Sequence, residues 1–568
     1  MLTLGLSTAY RDSSACLIEN GCLVGAAEES GFYHVRNSRR LTPFLAYEIP
    51  YEAIAWCLTK HKARLSDVDH IAYAWDPALF SAPIHPATIL TLALCPIPKF
   101  SDSYSLWGEL FLNHIANAPV HLAFGYPEHL SHIFAGPTHF IWHFVSHQTA
   151  HMASAYLGSP FDDAAILCLD TRGERASTSY AVGRGSEICP IGEVLMPQSL
   201  GLFYEKITEH LGFLGGSDEG KVMALAAYGK PRFRRAFEEL ITTADGGQYR
   251  TDYENLAALL GPKRQAREPI DTRHKDIACS LQEALNETVL TLARWLRQQT
   301  QSHALTLAGS LTLNCILNSA LRDAGLFDEV WVQPARGASG PALGAALVIN
   351  HATTVSQPRY RLAPTCLGPQ FSSEEIEEAL IHSHLPFGRP PAIAVAVAAR
   401  LASGKVVAWF QGGTEFSPYT LGSRSILASP CDPSMADRLN QLKDREAFQP
   451  IASATLIESA GDWFEDARLS PFMSFVSPIR EDKRPRIPAA MHIDGTARVQ
   501  AVDRAVQPLF HDVIEAFGAL TGVPVLLTTS FKTRDRPGVR TPADAIERYA
   551  SSPVDVLALG PFLLEKLR

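Results

Sequence analysis

Residues 164–194, AAILCLDTRGERASTSYAVGRGSEICPIGEV, decide how this chain is read. An apolar run stops at Asp170, and small or hydroxylated residues fill the turn that follows. A second run, rich in Ser, Thr, Tyr and Val, leads to a turn around Gly183–Gly185 and a third run. Runs of this composition, punctuated by glycine, predict a three-stranded antiparallel meander. Residues 2–29, LTLGLSTAYRDSSACLIENGCLVGAAEE, repeat the plan with Asn20-Gly21, a strong hairpin signal, between the second and third runs.

In both copies the first turn is polar: Asp12, Ser13 and Ser14 in one, Asp170, Thr171 and Gly173 in the other. Backbone N–H groups of such turns make a nest for phosphate oxygens. A duplicated strand–phosphate turn–strand unit is the plan of an actin-like ATPase fold, with nucleotide between its halves. Two unrelated β-meanders are the alternative. Residues 305–321, LTLAGSLTLNCILNSAL, add a strand, a turn at Gly309–Ser310 and a helix carrying Asn314. Residues 330–348, VWVQPARGASGPALGAALV, add a strand, a Gly/Ala/Ser turn and a helix from about Pro341. A strand, a glycine turn and a helix N-terminus together suit an anion, although neither turn is a full P-loop with its lysine; packing glycines are the alternative.

Between these stretches, SLQEALNETVLTLARWLRQQ (280–299) has the apolar period of a helix. Residues 355–380 read as a proline-rich link followed by a helix opened by a Ser cap, placing a domain boundary near 353–370. Beyond it, strands such as KVVAWF (405–410) and VPVLLTTSF (523–531) alternate with helices, so a second α/β domain is expected. It carries the cations Arg424, Lys443, Arg445, Arg498, Arg534, Arg536 and Arg540, several beside turn glycines or inside strands, which suits a dianionic phosphate.

Composition narrows the function classes. The 568 residues allow two domains with full cores, and 46% hydrophobic against 19% charged residues is ordinary for a globular chain. A net charge of −9 without a basic block gives no reason to propose nucleic acid as a partner. Ten scattered cysteines without a C-x-x-C pair argue against a zinc ribbon or a disulfide scaffold. The first residues read as a strand rather than a signal peptide, and the apolar run near 89–98 is too short for a bilayer, so a cytoplasmic location without membrane contact is expected.

In FVSHQTAHMASAY (144–156), His147 and His151 are four residues apart. On a helix they share a face and could share a metal ion, although such pairs are more often structural. The glutamate of a zinc-hydrolase H-E-x-x-H is absent, since the stretch reads His147-Gln148-Thr149-Ala150-His151.

The ordered stretches SHQTAHMASAY, LDTRGE, GSDEGKVMALAAYG, AGSLTLN, LGSRSILASP, LKDREAF, HIDGTARVQ and TTSF resemble, over nearly the whole chain, the O-carbamoyltransferase family of antibiotic biosynthesis. The resemblance implies an α/β protein: an N-terminal actin-like carbamoyl-transfer domain (1–355) and a C-terminal YrdC-like domain (370–568) that makes carbamoyladenylate from carbamoyl phosphate and ATP. It implies ATP with Mg, one divalent metal (Fe or Zn), and a small-molecule acceptor whose hydroxyl or amine is carbamoylated. A homodimer is left open. By the same resemblance His147, His151 and Asp170 hold the metal, while Gly173, Glu174, Gly220 and Lys221 line the adenylate and acceptor site. Gly309, Asn314 and Gly340 contact nucleotide, and Arg424, Lys443, Arg498 and Ser530 hold carbamoyl phosphate. Asp12, Arg11, Asp170 and Lys443 are the catalytic candidates.

The departures from the family pattern fall on the chemistry. A fourth metal ligand, an aspartate, is Ala338 here, and a histidine before the first polar turn is Arg11. Glu29-Ser30-Gly31 stands for Glu-Glu-Arg, and a lysine becomes Arg36. In the second domain Tyr419 and Gln449 replace arginines, and LTTSFK carries Thr528 and Lys532. Three functions fit these departures: a working carbamoyltransferase, a repurposed enzyme on the same scaffold activating a different substrate, and a non-catalytic nucleotide-binding paralogue that acts with a partner. Acceptor contacts are expected from variable segments such as 75–135, rich in Trp, Phe, His and Pro, which read as a binding face or as a packed insertion.

Overall fold

A computed structural model describes residues 1–8, 13–32, 49–80, 114–337, 339–354, 361–362, 366–466, 470–532 and 538–566. Arg11, Asp12, Arg36, Ala338, Arg534, Arg536 and the middle of the 75–135 segment lie outside the described residues. The chain divides into two compact units, Met1–Leu362 and Ala363–Arg568.

The first unit is built on two sheets of one topology. In the first, β1 (Leu2–Ser7), β2 (Ser14–Glu19) and β3 (Cys22–Glu28) form the meander, and β4 (His70–Tyr73) and β5 (Ile141–Phe144) extend it, in the order β3-β2-β1-β4-β5. In the second, β6 (Asp163–Leu169), β7 (Ala176–Arg184) and β8 (Glu187–Leu195) form the meander. A short hairpin of β9 (Ile241–Ala244) and β10 (Gln248–Thr251) intervenes before β11 (Ala304–Ala308) and β12 (Glu329–Val332), which complete the order β12-β11-β6-β7-β8. In each sheet the leading strand pairs antiparallel with the next strand and parallel with a later one. The two halves therefore share strand order and strand sense, and the duplicated actin-like plan is present rather than two unrelated meanders.

Local chemistry explains the turns. Asn20 (φ 47) and Gly21 (φ 82) both take the left-handed conformation that a two-residue hairpin requires. The predicted helical region is a helix over Thr272–Thr300, opened by an Asp271 cap. Asn314 is not on its helix but precedes it. Its Oδ1 accepts from Leu317 N at 2.9 Å and so caps Cys315–Asp323.

Between the sheets, helix Gly340–Thr353 lies against β1 on one side and helix His147–Leu157 on the other. Glycines permit both contacts. A Cβ at Gly5 would sit 2.0 Å from Ala342 O, and one at Gly344 would sit 1.7 Å from Ala150 O. Ala345 and Ala346 are fully buried along the same helix. Gly344→Leu is expected to force these helices apart at a cost of about 3 kcal/mol, read as a lower Tm of the first unit.

The second unit is an α/β layer around one mixed sheet. Its strands are β13 (Val407–Phe410), β14 (Arg424–Ala428), β15 (Ala452–Leu456), β16 (Val476–Pro478), β17 (Thr496–Val502), β18 (Val525–Ser530), β19 (Val556–Leu559) and β20 (Phe562–Glu565). They are ordered β16-β17-β15-β18-β14-β13-β19-β20. Helix Ser373–Ser383 opens with the expected serine cap, a reciprocal box between Ser372 and Glu375. Trp409, Phe410 and Phe517 anchor the core. Among the described residues, no helix of the chain is long and apolar enough to cross a membrane.

Candidate active site

Helix His147–Leu157 begins just after β5, and the Ser146 side chain caps it by accepting from Thr149 N at 3.3 Å. Four-residue spacing puts both imidazoles on one face, with ring centroids 4.6 Å apart and planes nearly perpendicular. Both face Asp170, which stands at the end of β6. His147 Nε2 lies 2.8 Å and His151 Nε2 3.3 Å from Asp170 Oδ2. All three side chains are buried.

The other carboxylate oxygen is held by the neighbouring strand end. Asp170 Oδ1 accepts from Ser310 N at 3.0 Å, from Thr171 N at 2.9 Å and from Ser310 Oγ. Gly309 makes this approach possible: it takes φ 91, and a Cβ there would sit 2.3 Å from Leu169 O. Burial alone would raise the Asp170 pKa, but His151 and His147 outweigh it and hold the carboxyl well below the usual range. Thr171 N–H is engaged by Asp170 and Ser310 Oγ, so it is not an open phosphate donor as the polar-turn reading expected.

Two imidazole nitrogens and a carboxylate oxygen within 4.8 Å of one another fit a divalent metal. Such a set leaves coordination positions open. Its supporting bonds are of the kind that orient metal ligands, with Asp170 Oδ1 tied by Ser310. His151 Nδ1 is buried and has no hydrogen-bond partner among the described residues. The family's fourth-ligand position, Ala338, lies outside the described residues.

Glu174 closes the same turn. Its buried carboxylate accepts from His147 N at 2.7 Å and from Asp76 N at 2.9 Å. Burial pushes its pKa up, against the opposing pull of His147 and these N–H donors. Arg172 pairs with Glu205 at 3.0 Å, fixing the turn to helix Leu200–His210. Gly173 sits at the centre of that turn, and Gly340 opens the helix that packs on the histidine helix at Ala150 and Ser154.

The residues expected at nucleotide and acceptor are less concentrated. Gly220 and Lys221 lie on helix Glu219–Ala226, where Lys221 Nζ pairs with Asp218 at 3.1 Å. Met223 of that helix touches Cys315 at 3.9 Å, one residue from Asn314. The Asn314 side chain is used by the fold: beyond its cap, its Nδ2 donates to Gln282 Oε1 at 2.7 Å.

In the second unit, Lys443 and Ser530 meet. Lys443 Nζ donates to Ser530 Oγ at 3.1 Å, to Lys532 O at 2.6 Å and to Ser530 O. On β17, Arg498 lies 4.5 Å from the centroid of the Tyr419 ring. The nearby Arg445 has its pKa drawn down to about 10 by burial and then by Arg498. His492 is drawn down to about 4, burial leading and Arg498 adding to it. Burial and the Arg498 guanidinium act together on Arg445 and His492, a positive field set up for an anion.

Two expected phosphate ligands are engaged elsewhere. Arg424 is buried, lies 3.6 Å from the Phe410 ring centroid and donates to the carbonyls of Gln411 (2.5 Å), Gly412 (2.9 Å) and Pro369 (3.2 Å). Burial lowers its pKa to about 10. Arg540 pairs with Asp544 at 3.0 Å at a helix start. Gln449, in the place of a family arginine, donates to Glu446 at 2.5 Å. Sequence reasoning did not single out Ser310 as the orienter of Asp170 or His492 as a buried neighbour of Arg498, although both lie in quoted motifs.

Comparison with known proteins gives this geometry its context. Residues 2–347 match the family model described as carbamoyltransferase N-terminus, and residues 398–566 match the one described as carbamoyltransferase C-terminus. The nodulation protein NolNO of Sinorhizobium fredii is 36% identical over 571 residues, covering 99% of this chain and 80% of that protein. The nodulation protein NolO of Bradyrhizobium diazoefficiens is 39% identical over 433 residues, covering 74% of this chain and 79% of its own. Among solved structures, component A of (R)-2-hydroxyglutaryl-CoA dehydratase from Acidaminococcus fermentans aligns over 62% of this chain and 98% of its own, at 11% identity and a TM-score of 0.34. Both family models fall in order on the two units, and the relative that spans nearly the whole chain exceeds 30% identity: the chain belongs to the carbamoyltransferase family and is a transferase.

Proposed function

We propose that this protein is an ATP-dependent O-carbamoyltransferase acting on a small natural-product intermediate. The observation that carries the reading is the convergence of His147, His151 and Asp170 at the meeting of the duplicated sheets, in a chain of this family. Overall, carbamoyl phosphate, water, ATP and an acceptor hydroxyl give the carbamate ester, phosphate, pyrophosphate and AMP. In the second unit, Lys443, Arg445, Arg498 and Ser530 hold carbamoyl phosphate, and Arg424 serves instead to pin the Gln411–Gly412 turn beside them. There water cleaves carbamoyl phosphate to carbamate and phosphate. A carbamate oxygen then attacks the α-phosphorus of ATP and displaces pyrophosphate to give carbamoyladenylate, and Lys443 and Arg498 stabilise the phosphate charge that leaves.

In the first unit, His147, His151 and Asp170 would hold an iron or zinc ion, which would polarise the carbamoyl carbonyl and steady the adenylate phosphate. The residues around them set the rest of the reaction. Ser310 and Thr171 fix the Asp170 carboxylate, and helix Gly340–Thr353 bars water from the buried face of the histidine helix. Gly220 and Lys221 face the acceptor and adenylate, and Mg accompanies ATP.

A second reading, a repurposed enzyme, is favoured by Tyr419. An aromatic ring beside Arg498 stands where the family has an arginine, and it suits a donor other than carbamoyl phosphate. Nucleotide products separate these readings from a simple ATPase. With carbamoyl phosphate present the protein is expected to convert ATP to AMP and pyrophosphate. ADP and phosphate would count against both readings, and AMP formation that needs a different acid would favour the second.

A further inference from the structure

We infer that Glu174 is a positioning residue that sets the two imidazoles against Asp170 by fixing the start of their helix. The inference rests on the reading of His147, His151 and Asp170 as metal ligands and adds a residue that touches none of the reacting atoms.

One turn, Asp170 to Glu174, carries two carboxylates with different tasks. Asp170 meets the imidazoles directly, through Oδ2. Glu174, four residues on, accepts from the backbone N–H of His147, the first residue of the histidine helix. N–H groups in a first helical turn have no partner within the helix, and the dipole there favours a negative charge. The same Oε1 accepts from Asp76 N, just beyond β4 of the first sheet. Glu174 therefore joins three elements from both halves of the duplicated fold: the end of β4, the histidine helix and the turn after β6.

Neighbouring contacts fix the remaining freedom. Gln148 Nε2 donates to Ala176 O at 3.1 Å, tying the helix to the start of β7. The Trp75 ring lies 5.8 Å from the His147 ring. Gly344 brings helix Gly340–Thr353 against Ala150. With the helix pressed from behind and sideways, the anchor at its N-terminus decides how far along its axis the helix sits. That position sets both Nε2 distances to Asp170 at once. A shift of an ångström at His147 N would open the 2.8 Å and 3.3 Å contacts together.

Groups hydrogen-bonded directly to metal-ligand side chains are worth about 10–100-fold in metal affinity, and an anchor that moves both imidazoles is expected to reach the lower end of that range. The test is zinc affinity of the full chain, measured by competition with a chromophoric chelator, for wild type, Glu174→Ala, Glu174→Gln and Glu174→Asp. Positioning predicts that Glu174→Gln, whose amide oxygen still accepts from both N–H groups, stays within about threefold of wild type. Glu174→Asp keeps the charge but withdraws the oxygen by one methylene, and is expected to lose about tenfold or more, as is Glu174→Ala.

The reverse order, with Glu174→Asp retained and Glu174→Gln lost, would overturn the inference in favour of a purely electrostatic role. Equal affinity in all four proteins would overturn it as well. If Glu174→Ala fails to fold, the Gln and Asp variants still decide. Wild type that takes up no zinc or iron would instead refute the metal reading itself, and the inference with it.

Discussion

His151→Ala is expected to abolish carbamoyl transfer while leaving carbamoyl-phosphate-dependent pyrophosphate release from ATP near the wild-type rate. The substitution removes one of three protein donors from a buried set whose other members, His147 and Asp170, are 2.8 Å apart. Loss of an outer-shell partner already costs about 10–100-fold in affinity. Loss of a ligand should therefore lower zinc or iron affinity by more than about 100-fold. It also removes from Asp170 Oδ2 one of the two imidazoles that hold its pKa down, leaving a buried carboxylate with weaker compensation. Metal content and transfer should fall together. A variant that loses its metal yet transfers normally would separate the histidines from the chemistry.

Lys443→Ala is expected to give the opposite pattern: normal metal content and no carbamoyl-phosphate-dependent pyrophosphate release. Lys443 is buried, and its three N–H donors converge on the Ser530–Lys532 turn at the end of β18. It supplies positive charge to the anion site and holds the Ser530 hydroxyl in place. Charge-assisted hydrogen bonds are worth about 1.5–3 kcal/mol each. Removing one preorganised positive donor at a developing phosphate charge costs about 10²–10³-fold, and a loss of that order is expected in kcat/KM. Lys443→Arg is not expected to restore activity, because a planar fork cannot meet three acceptors arranged around one ammonium. Steady-state kinetics in carbamoyl phosphate would check both variants.

The parts of this account that were legible in sequence are those encoded locally. The Asn20-Gly21 turn specifies its own hairpin, because both residues tolerate the positive φ that the turn demands. Repetition of that plan around Asp170 foretold the two matched sheets. The histidine spacing foretold a shared face, since four residues is about one helical turn. The resemblance then brought Asp170 to the pair, 19 residues beyond His151 in sequence and 3.3 Å from it in the fold.

What could not be read depends on contacts between distant residues. Nothing near Glu174 in sequence announces that its acceptor role falls on Asp76 N, 98 residues earlier. Arg424 has the sequence context of a phosphate ligand, yet it is buried against Phe410 and donates to four backbone carbonyls of the chain. Asn314 was expected to contact nucleotide, but its side chain caps a helix and bonds Gln282. An asparagine before a helix serves as a cap at least as readily as a ligand contact. In each case a polar side chain met an internal partner before any ligand.

The measurement that tests the central claim most directly is pyrophosphate release from ATP by the purified, metal-loaded protein, with and without carbamoyl phosphate. Release is expected to require carbamoyl phosphate, to be lost in Lys443→Ala and to survive in His151→Ala. Release that ignores carbamoyl phosphate, or no release under any of these conditions, would contradict it.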